Sequence, residues 1–363
     1  MFVRPKDARA ETWDGARSGV QAAQDVFNAD EAGDINDAPL KLPDLIQSAR
    51  EVYTDLGKNT SRSPFERFLK GTNSTAPAFQ KLLQSSHTRP LNPIMNRLRL
   101  TKSSAELTNM RLAGAISGAA FSSAMSQSYT SEKALWNDLS HSFKAHGLDG
   151  DAYVPVVAGG QNALKIHYVR NDALLPKDNL VLVDAGGEYG GYITDITRTW
   201  PINGRFSEPQ KELYEVLLKV QTRCLALCKE SEEVSLDSLH HYSEALVRDG
   251  LRALGFPVGA SAQSFASSTQ PLDALYPHHV GHFIGLDVHD APGHPRTEKL
   301  LANQCITIEP GVYVPDDDRW PAAFRGMGIR IEDSVVIGKG KEEGEILTAN
   351  AAKTVEEIEG LRS

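Results

Sequence analysis

The chain has 363 residues, of which 40% are hydrophobic and 23% are charged, so it can bury a core and is neither disordered nor fibrous. Its 38 Lys and Arg residues against 47 Asp and Glu residues give a net charge of −9, which argues against nucleic acid as the main partner. Three cysteines are too few for a disulfide framework, and the lack of any apolar run of about 18 residues argues against a membrane span.

The predicted elements begin with a shorter, loop-rich region. A helix is predicted within residues 4–31. For residues 44–56 the pattern predicts either a second helix or a helix followed by a strand. A short helix is predicted at 76–83, before a polar connection marked by prolines. We therefore divide the chain into a smaller domain, residues 1–95, and a larger one, residues 96–363.

The larger domain alternates blocks of helices and strands. Helices are predicted over residues 102–125, 136–145, 207–230, 235–254 and 350–361. Strands are predicted around residues 152–160, 181–200, 280–290, 303–314 and 328–337. The first of these helices opens with serine and glutamate residues that can cap its first turn. Such blocks of helices and antiparallel strands are typical of an α+β or mixed α/β layered fold.

The stretch VLVDAGGEYGGYITDITRTW, residues 181–200, places Asp184 and Asp195 in apolar strands around a glycine-rich turn. If the two aspartates face each other, the turn is centred between Tyr189 and Gly190, and their Cβ atoms lie about 4.5–5.5 Å apart. Considered separately, Asp184 would cap a turn and Asp195 would be an exposed strand residue. Together in a buried strand pair they repel unless a cation or a shared proton intervenes, and we favour a cation.

Two further stretches supply ligands of the same kind. HHVGHFIGLDVHD begins at His278 and contains His282 and His289, and ITIEPGVYV places Glu309 at a strand end before a Pro-Gly turn. Each residue alone has an ordinary interpretation, since single histidines are usually structural and a glutamate at a strand end is usually solvated. However, several such ionisable residues lie in apolar predicted strands, where burial without a partner is costly, and this favours one site that they share.

The last stretch, GIRIEDSVVI, places Glu332 inside a predicted strand, with Arg330 on the same face. A simple ion pair between the two is the ordinary interpretation. Counted with the other carboxylates and one imidazole, however, Glu332 completes an oxygen-rich ligand set. Such a set suits Mn²⁺, Co²⁺ or Zn²⁺ better than a metal that prefers thiolates.

The order of these residues and their surrounding motifs resembles the pita-bread metallopeptidases, and within them the aminopeptidase P branch. The resemblance covers roughly residues 96–363. AYVPVVAGGQNALKIHYVRND and YPHHVGHFIGLDVHD resemble the mitochondrial forms of that branch most. It implies a pita-bread catalytic domain preceded by a smaller N-terminal α/β domain.

The resemblance also implies a cofactor of two divalent metal ions, with manganese as the metal that the family commonly uses. Asp184 would chelate one ion, and Asp195 and Glu332 would bridge both. His282 and Glu309 would complete the coordination. The metal ligands implied are therefore Asp184, Asp195, His282, Glu309 and Glu332.

The catalytic roles follow from the same resemblance. Glu309 would move a proton, while His167, His278 and His289 would bind substrate and stabilise the tetrahedral intermediate. Arg330 would contact the metal ligands and hold them in place without binding the metal itself. The activity implied is hydrolysis of the first peptide bond, which releases the N-terminal residue from Xaa-Pro peptides or from processed mitochondrial proteins. The partners implied are peptide or protein N-termini, with neither nucleic acid nor membrane, and the dimer contacts of the family make a homodimer an expectation.

One departure from the family pattern concerns the start of the chain. FVRPKDARAETWDGARSG resembles a stretch well inside the family's N-terminal domain, so we expect that domain to be truncated and to lack a transit peptide. The resemblance implies a mitochondrial protein, and the lack of a transit peptide favours the cytoplasm. Truncation also leaves open a catalytically idle binding protein on the same fold. A phosphoesterase is disfavoured because no phosphate-cradling loop is present, and a methionine aminopeptidase because such enzymes usually lack a domain like residues 1–95.

Overall fold

The computed structural model describes residues 1–55, 83, 87–259 and 272–362. The chain divides into two compact units, Met1–Ile94 and Met95–Ser363. Apart from Leu83, the helix predicted at 76–83 lies outside the described residues. Among the described residues, no helix combines the length and the apolar character that crossing a membrane requires.

The described part of the first unit consists of short elements. Its helices are Ala8–Asp14, Gly19–Asp25 and Ala38–Ser48. Its strands pair in parallel, Phe2–Val3 with Gly33–Asp34 and Val52–Tyr53 with Thr88–Arg89. The single helix predicted within residues 4–31 is two helices, because Gly15 ends the first one with a φ of 84°.

The second unit contains the long helices. The described helices that follow residue 90 are Asn92–Leu100, Ser104–Ser126, Glu132–Ala145, Glu208–Leu225, Leu236–Ala253 and Val355–Gly360. Five of them confirm the periodicity predictions. The second begins at Ser104 because Ser103 and Glu106 form a capping box that satisfies its first backbone amides.

The strands of the second unit form small antiparallel sheets. They are Gly150–Asp151, Val156–Gly159, Leu180–Ala185, Gly187–Tyr189, Tyr192–Ile193, Ile196–Pro201, Cys305–Ile308, Gly311–Tyr313, Gly328–Arg330, Asp333–Val336 and Glu345–Ile346. Leu180–Ala185 lies between Val156–Gly159 and Ile196–Pro201, and Asp333–Val336 lies between Cys305–Ile308 and Glu345–Ile346. Asp184 therefore lies on a central strand. The strands next to Asp195, Glu309 and Glu332 are central or pair directly with a central strand.

The core of the second unit packs helices against these sheets. Its largest fully buried apolar side chains include Trp200, Tyr214, Phe121 and Phe143. Burial of each such side chain contributes about 1.5–3 kcal/mol. This packing holds the strands rigidly, as a site built from several strands requires.

The register predicted for the hairpin is wrong by two residues. Asp184 pairs with Thr197, not with Asp195. The reason is the turn, which Gly190 and Gly191 form with φ values of 56° and 83°. These are the positive φ values that a two-residue hairpin turn requires, and they move its centre one residue along the chain.

The strand predicted around residues 280–290 is also wrong. This segment runs beside strand Cys305–Ile308 but forms a ladder pair with it only at the bridge between Phe283 and Ile306. At Gly281 an added Cβ would lie 1.9 Å from the Thr307 carbonyl oxygen. The regular ladder is interrupted next to Gly281, because the backbone amide of His282 donates to Thr307 Oγ1 at 3.1 Å instead of to a backbone oxygen.

Candidate metal centre

Three of the predicted ligands lie where strands begin or end. Asp195 and Glu332 each immediately precede a strand, and Glu309 immediately follows one. The prediction that Glu332 lies inside a strand is wrong, because the chain breaks there into Gly328–Arg330 and Asp333–Val336, which pair with different strands. Such a break aims a side chain away from the regular alternation of a strand.

Asp195, His282 and Glu332 form the centre of the site. Within the part of the chain that the structure describes, they offer ligand atoms that all lie within 4.8 Å of one another. The Nε2 atom of His282 is 3.5 Å from Asp195 Oδ2 and 3.5 Å from Glu309 Oε1. Its Nδ1 lies 3.1 Å from the Phe283 carbonyl oxygen, so that the other ring nitrogen, Nε2, is directed at the carboxylates.

Asp184 joins this group through a shared donor. The Tyr153 hydroxyl lies 2.7 Å from Asp184 Oδ1 and also hydrogen-bonds to Asp195 Oδ1. A hydroxyl has one hydrogen to donate, so the two carboxylates compete for it. The second oxygen of Asp184 accepts a hydrogen bond from Arg330 Nη2. The structure therefore brings the two aspartates together even though they are not direct cross-strand partners.

Glu332 has one satisfied oxygen and one unsatisfied oxygen. Thr197 Oγ1 donates to Glu332 Oε2 at 2.6 Å, and Arg330 Nε donates to Thr197 Oγ1 at 2.9 Å. No described residue hydrogen-bonds to the buried Oε1 atom of Glu332. An unpaired buried acceptor costs about 1–3 kcal/mol, so this atom is suited to a cation.

The pKa values indicate that the carboxyl groups cannot all be ionised together. Burial raises the pKa of Asp184 to about 6, that of Glu309 to about 7 and that of Glu332 well above its ordinary value. Burial is the largest single influence on Asp195 and His282 too and opposes their charges, but their mutual hydrogen bond and attraction, together with further contacts, outweigh it. The pKa of Asp195 is therefore lowered, and that of His282 rises to about 9. Divalent cations would reverse this balance, and four carboxylates with one imidazole fit hard or borderline ions.

His278 lies next to Glu309 and is the last residue of a hydrogen-bonded chain that begins at Arg330. Arg330 Nη1 donates to the Tyr313 hydroxyl at 2.7 Å, and that hydroxyl is 2.9 Å from His278 Nε2. Burial, followed by the charge of Arg330, lowers the pKa of His278 to about 3. His278 is therefore neutral, and its Nδ1 lies 3.8 Å from Glu309 Oε2.

His289 and His167 occupy the exposed side of the site. The ring of His289 is perpendicular to that of His282, with their centroids 4.5 Å apart. His167 is exposed in the turn after the short 3-10 helix Gly160–Leu164. Burial lowers the pKa of His289, and the charges of His282 and His167 act in the same direction. The structure thus brings the ring of His289 against that of His282 at the centre, whereas His167 lies in an exposed turn.

Sequence reasoning missed Tyr153, Thr197 and Tyr313. Thr197 lies two residues after Asp195, so the period of two in a strand was a signal that could have identified it. Tyr153 and Tyr313 left no such signal. Their hydroxyls meet Asp184 and Arg330 only because segments separated in sequence are placed side by side in the fold.

Comparison with known proteins identifies the class. Residues 108–339 match the model of Metallopeptidase family M24, and residues 1–53 match the model described as Aminopeptidase P, N-terminal domain. The first match covers more than half of the chain. The chain belongs to metallopeptidase family M24.

Individual relatives narrow the class. The chain is 42% identical to Intermediate cleaving peptidase 55 of Saccharomyces cerevisiae, over 99% of this chain and 70% of the relative. It is 36% identical to Xaa-Pro aminopeptidase 3 of Homo sapiens, over 100% of this chain and 70% of the relative. It is 35% identical to Intermediate cleaving peptidase 55, mitochondrial, of Arabidopsis thaliana, over 99% of this chain and 69% of the relative.

A solved structure agrees with these relatives. The crystal structure of Icp55 from Saccharomyces cerevisiae with 58 N-terminal residues deleted matches with a TM-score of 0.87 at 41% identity, covering 100% of this chain and 81% of that chain. The pita-bread fold and the aminopeptidase P resemblance are confirmed. The chain is a metalloaminopeptidase, a hydrolase that acts on the N-termini of peptides or proteins with a divalent metal cofactor.

Proposed function

We propose that the chain is a binuclear metalloaminopeptidase that hydrolyses the first peptide bond of its substrate. The observation that carries this proposal is the buried Oε1 atom of Glu332, to which no described residue hydrogen-bonds, beside the mutually close ligand atoms of Asp195 and His282. A buried carboxyl oxygen without a partner is costly, and the exposed His289 and His167 beside this group leave a substrate access to it.

The two ions would be held by carboxylates from three parts of the chain and one imidazole. The proposed ligands are Asp184, Asp195, His282, Glu309 and Glu332. We propose Mn²⁺ as the metal, because oxygen donors dominate this set and no thiolate is part of it. Two such ions would activate a water molecule as nucleophile and stabilise negative charge on the substrate carbonyl oxygen.

The side chains of the site would handle the protons and the substrate. Glu309 would take one proton from the attacking water and deliver it to the nitrogen of the departing amine, so that the peptide bond is replaced by a free acid and a free amine. His278, held neutral by its surroundings, lies beside Glu309 and would orient the carboxyl group. Arg330 would fix Asp184 through its guanidinium group.

His289 and His167 lie where a substrate would approach. An imidazole at His289 would face the developing oxyanion, since its ring lies against that of His282. His167, exposed in its turn, would contact the bound peptide. Tyr153 would hold Asp184 and Asp195 at the separation that the ions need.

The substrate preference is proposed from the similarity to two kinds of relative. We propose that the chain trims one residue from processed proteins in mitochondria, and that proline in the second position is accepted. The similarity to Intermediate cleaving peptidase 55, mitochondrial, supports the first part, and the similarity to Xaa-Pro aminopeptidase 3 supports the second. The domain boundary at residue 95 and the homodimer stay predictions.

Metal content and product release together test the proposal. The purified chain would be analysed for metals and assayed with Mn²⁺ on paired Xaa-Pro and Xaa-Ala peptides. We expect about two ions per chain and release of the first residue from both peptides. Release confined to Xaa-Pro would contradict the broader trimming role, and metal binding without release would support the idle binding protein instead.

A further inference from the structure

We propose that Glu132 is a positioning residue for His167, acting by anchoring the chain on both sides of it. This inference rests on the proposed function, because it assigns to His167 a contact with substrate. Glu132 is the first residue of helix Glu132–Ala145 and lies remote in sequence from every metal ligand. Its side chain is 0% exposed, although it is a carboxylate.

One oxygen of Glu132 holds the chain before His167. Glu132 Oε1 accepts a hydrogen bond from the backbone amide of Gly159 at 2.9 Å and from Asn162 Nδ2 at 2.9 Å. Both donors lie upstream of the turn that carries the histidine. They connect that turn to the end of strand Val156–Gly159.

The other oxygen holds the chain after His167. Glu132 Oε2 accepts from the Tyr168 hydroxyl at 2.9 Å and from the backbone amide of Ala173 at 2.8 Å. Tyr168 is the next residue after His167 in the chain. One carboxylate thus joins four donors that lie on both sides of a single exposed histidine.

The anchored segment is itself tied to the metal centre. Val156, in the strand that ends at Gly159, is the ladder partner of Asp184. Asn171 adds a further connection, because its side chain accepts from the Val157 amide at 2.9 Å and donates to the Pro155 carbonyl at 2.7 Å. Movement of the segment relative to Glu132 would therefore change the position of His167 relative to the ligands.

The ordinary explanation is that Glu132 only stabilises its helix. That role is already filled, since the side chain of Ser131 caps the helix by accepting from the Ala134 amide at 3.2 Å. All four hydrogen bonds of the Glu132 carboxylate go instead to residues 159–173. A buried carboxylate is costly unless donors of this number and geometry satisfy it, so its function lies in that segment.

Glu132→Gln tests the anchor, because it keeps the size of the side chain but turns an amide group toward the donors. We expect kcat/KM on an Xaa-Pro peptide to fall about 10- to 100-fold, as a displaced substrate-contacting group allows, with metal content unchanged. Ser131→Ala weakens the same helix end without touching residues 159–173, and we expect unchanged kcat/KM. Should Glu132→Gln fail to fold, Tyr168→Phe removes a single donor and is expected to show a smaller loss of the same kind.

Double variants show whether Glu132 acts by positioning His167 or only by stabilising the whole protein. In a His167→Ala background Glu132→Gln is expected to cost no further activity, whereas in a His289→Ala background the losses multiply. Equal losses in both backgrounds would overturn the proposal. If His167→Ala alone leaves kcat/KM unchanged, the proposed function of His167 has failed, and hydrogen exchange still decides the anchor. Residues 159–173 must then exchange faster in Glu132→Gln than in Ser131→Ala, and equal exchange would refute the anchor.

Discussion

Glu332 and Asp333 are adjacent buried carboxyl residues that have opposite surroundings. Asp333 accepts from Arg198 Nη2 at 2.7 Å and from Lys353 Nζ at 2.6 Å, among other donors. Burial opposes its charge, but the charges of Arg198 and Lys353 and their hydrogen bonds together outweigh burial, and the pKa of Asp333 falls to about 2. Glu332 has an oxygen to which no described residue hydrogen-bonds, and burial raises its pKa well above the ordinary value.

The difference separates a structural carboxylate from a ligand. The charge on Asp333 is balanced by two cations of the chain itself, so it needs nothing else and holds the sheet to Arg198 and Lys353. The charge on Glu332 would be balanced only from outside the chain. We therefore expect changes at Asp333 to affect stability and changes at the ligands to affect metal binding.

The largest expected effect belongs to a ligand variant. Asp195→Asn should abolish metal binding at one or both positions and lower peptide release at least about 100-fold, because the ions supply several kcal/mol of charge stabilisation. Metal content and release of the first residue from an Xaa-Pro peptide measure the two effects. Asp172→Asn, at an exposed position paired with Arg170, is the matched control. Full turnover in Asp195→Asn would refute its role.

The second-largest expected effect is a loss of stability on changing Asp333, the structural carboxylate next to Glu332. Asp333→Asn leaves the buried Arg198 and the partly exposed Lys353 without their charged partner, so the free energy of unfolding should fall by about 3–5 kcal/mol. Denaturant unfolding of the metal-loaded protein measures this change. The distinction between the two neighbours fails if Asp333→Asn keeps its stability and loses its metal.

Glu332→Gln completes the comparison. Because the raised pKa keeps Glu332 protonated without metal, an amide of the same shape should leave the unfolding midpoint of the chelator-treated protein nearly unchanged. The same variant should bind fewer ions. A large loss of stability in chelator would mean that Glu332 is a structural carboxylate like Asp333.

His289→Ala should lower turnover about 100-fold while metal content stays at the level of the unchanged protein, because an oxyanion contact is lost and no proposed ligand is removed. His241→Ala, at a helix position outside the site, provides the control. Unchanged turnover would make His289 a structural histidine.

The smallest effect is a dependence of stability on pH. The folded pKa values of Asp184, about 6, and Glu309, about 7, are raised, so their stabilisation is present at low pH and lost as the pH rises through those values. The raised pKa of His282, about 9, acts in the same direction at higher pH. The Tm of the chelator-treated protein should therefore fall from pH 5 to pH 9. Excess Mn²⁺ should reduce that fall, and parallel curves with and without metal would contradict the explanation.

Much of the architecture could be predicted from local patterns. The helix starting at Ser104 was predictable because its periodicity and capping residues are contained in one short stretch. The hairpin register was not, because two Gly-Gly pairs lie within six residues and only the folded chain selects Gly190 and Gly191 for the turn. A choice between such alternatives depends on packing that is not local.

In the candidate site, too, the features that depend on long-range packing could not be predicted from the sequence. Resemblance and an apolar context singled out Glu332 among the acidic residues of the predicted strand 328–337. The break before Asp333 was not predictable, because Gly328–Arg330 pairs with one distant strand and Asp333–Val336 with another. The Tyr153 contact with both aspartates likewise arises from long-range placement.

The most direct test of the central claim is the anomalous scattering of crystals grown with Mn²⁺. We predict two manganese peaks about 3.5–4 Å apart, enclosed by the five proposed ligands, with Glu332 Oε1 in contact with metal. A peak only at the surface, or no peak beside Asp195, His282 and Glu332, would contradict the assignment of these residues as a binuclear centre.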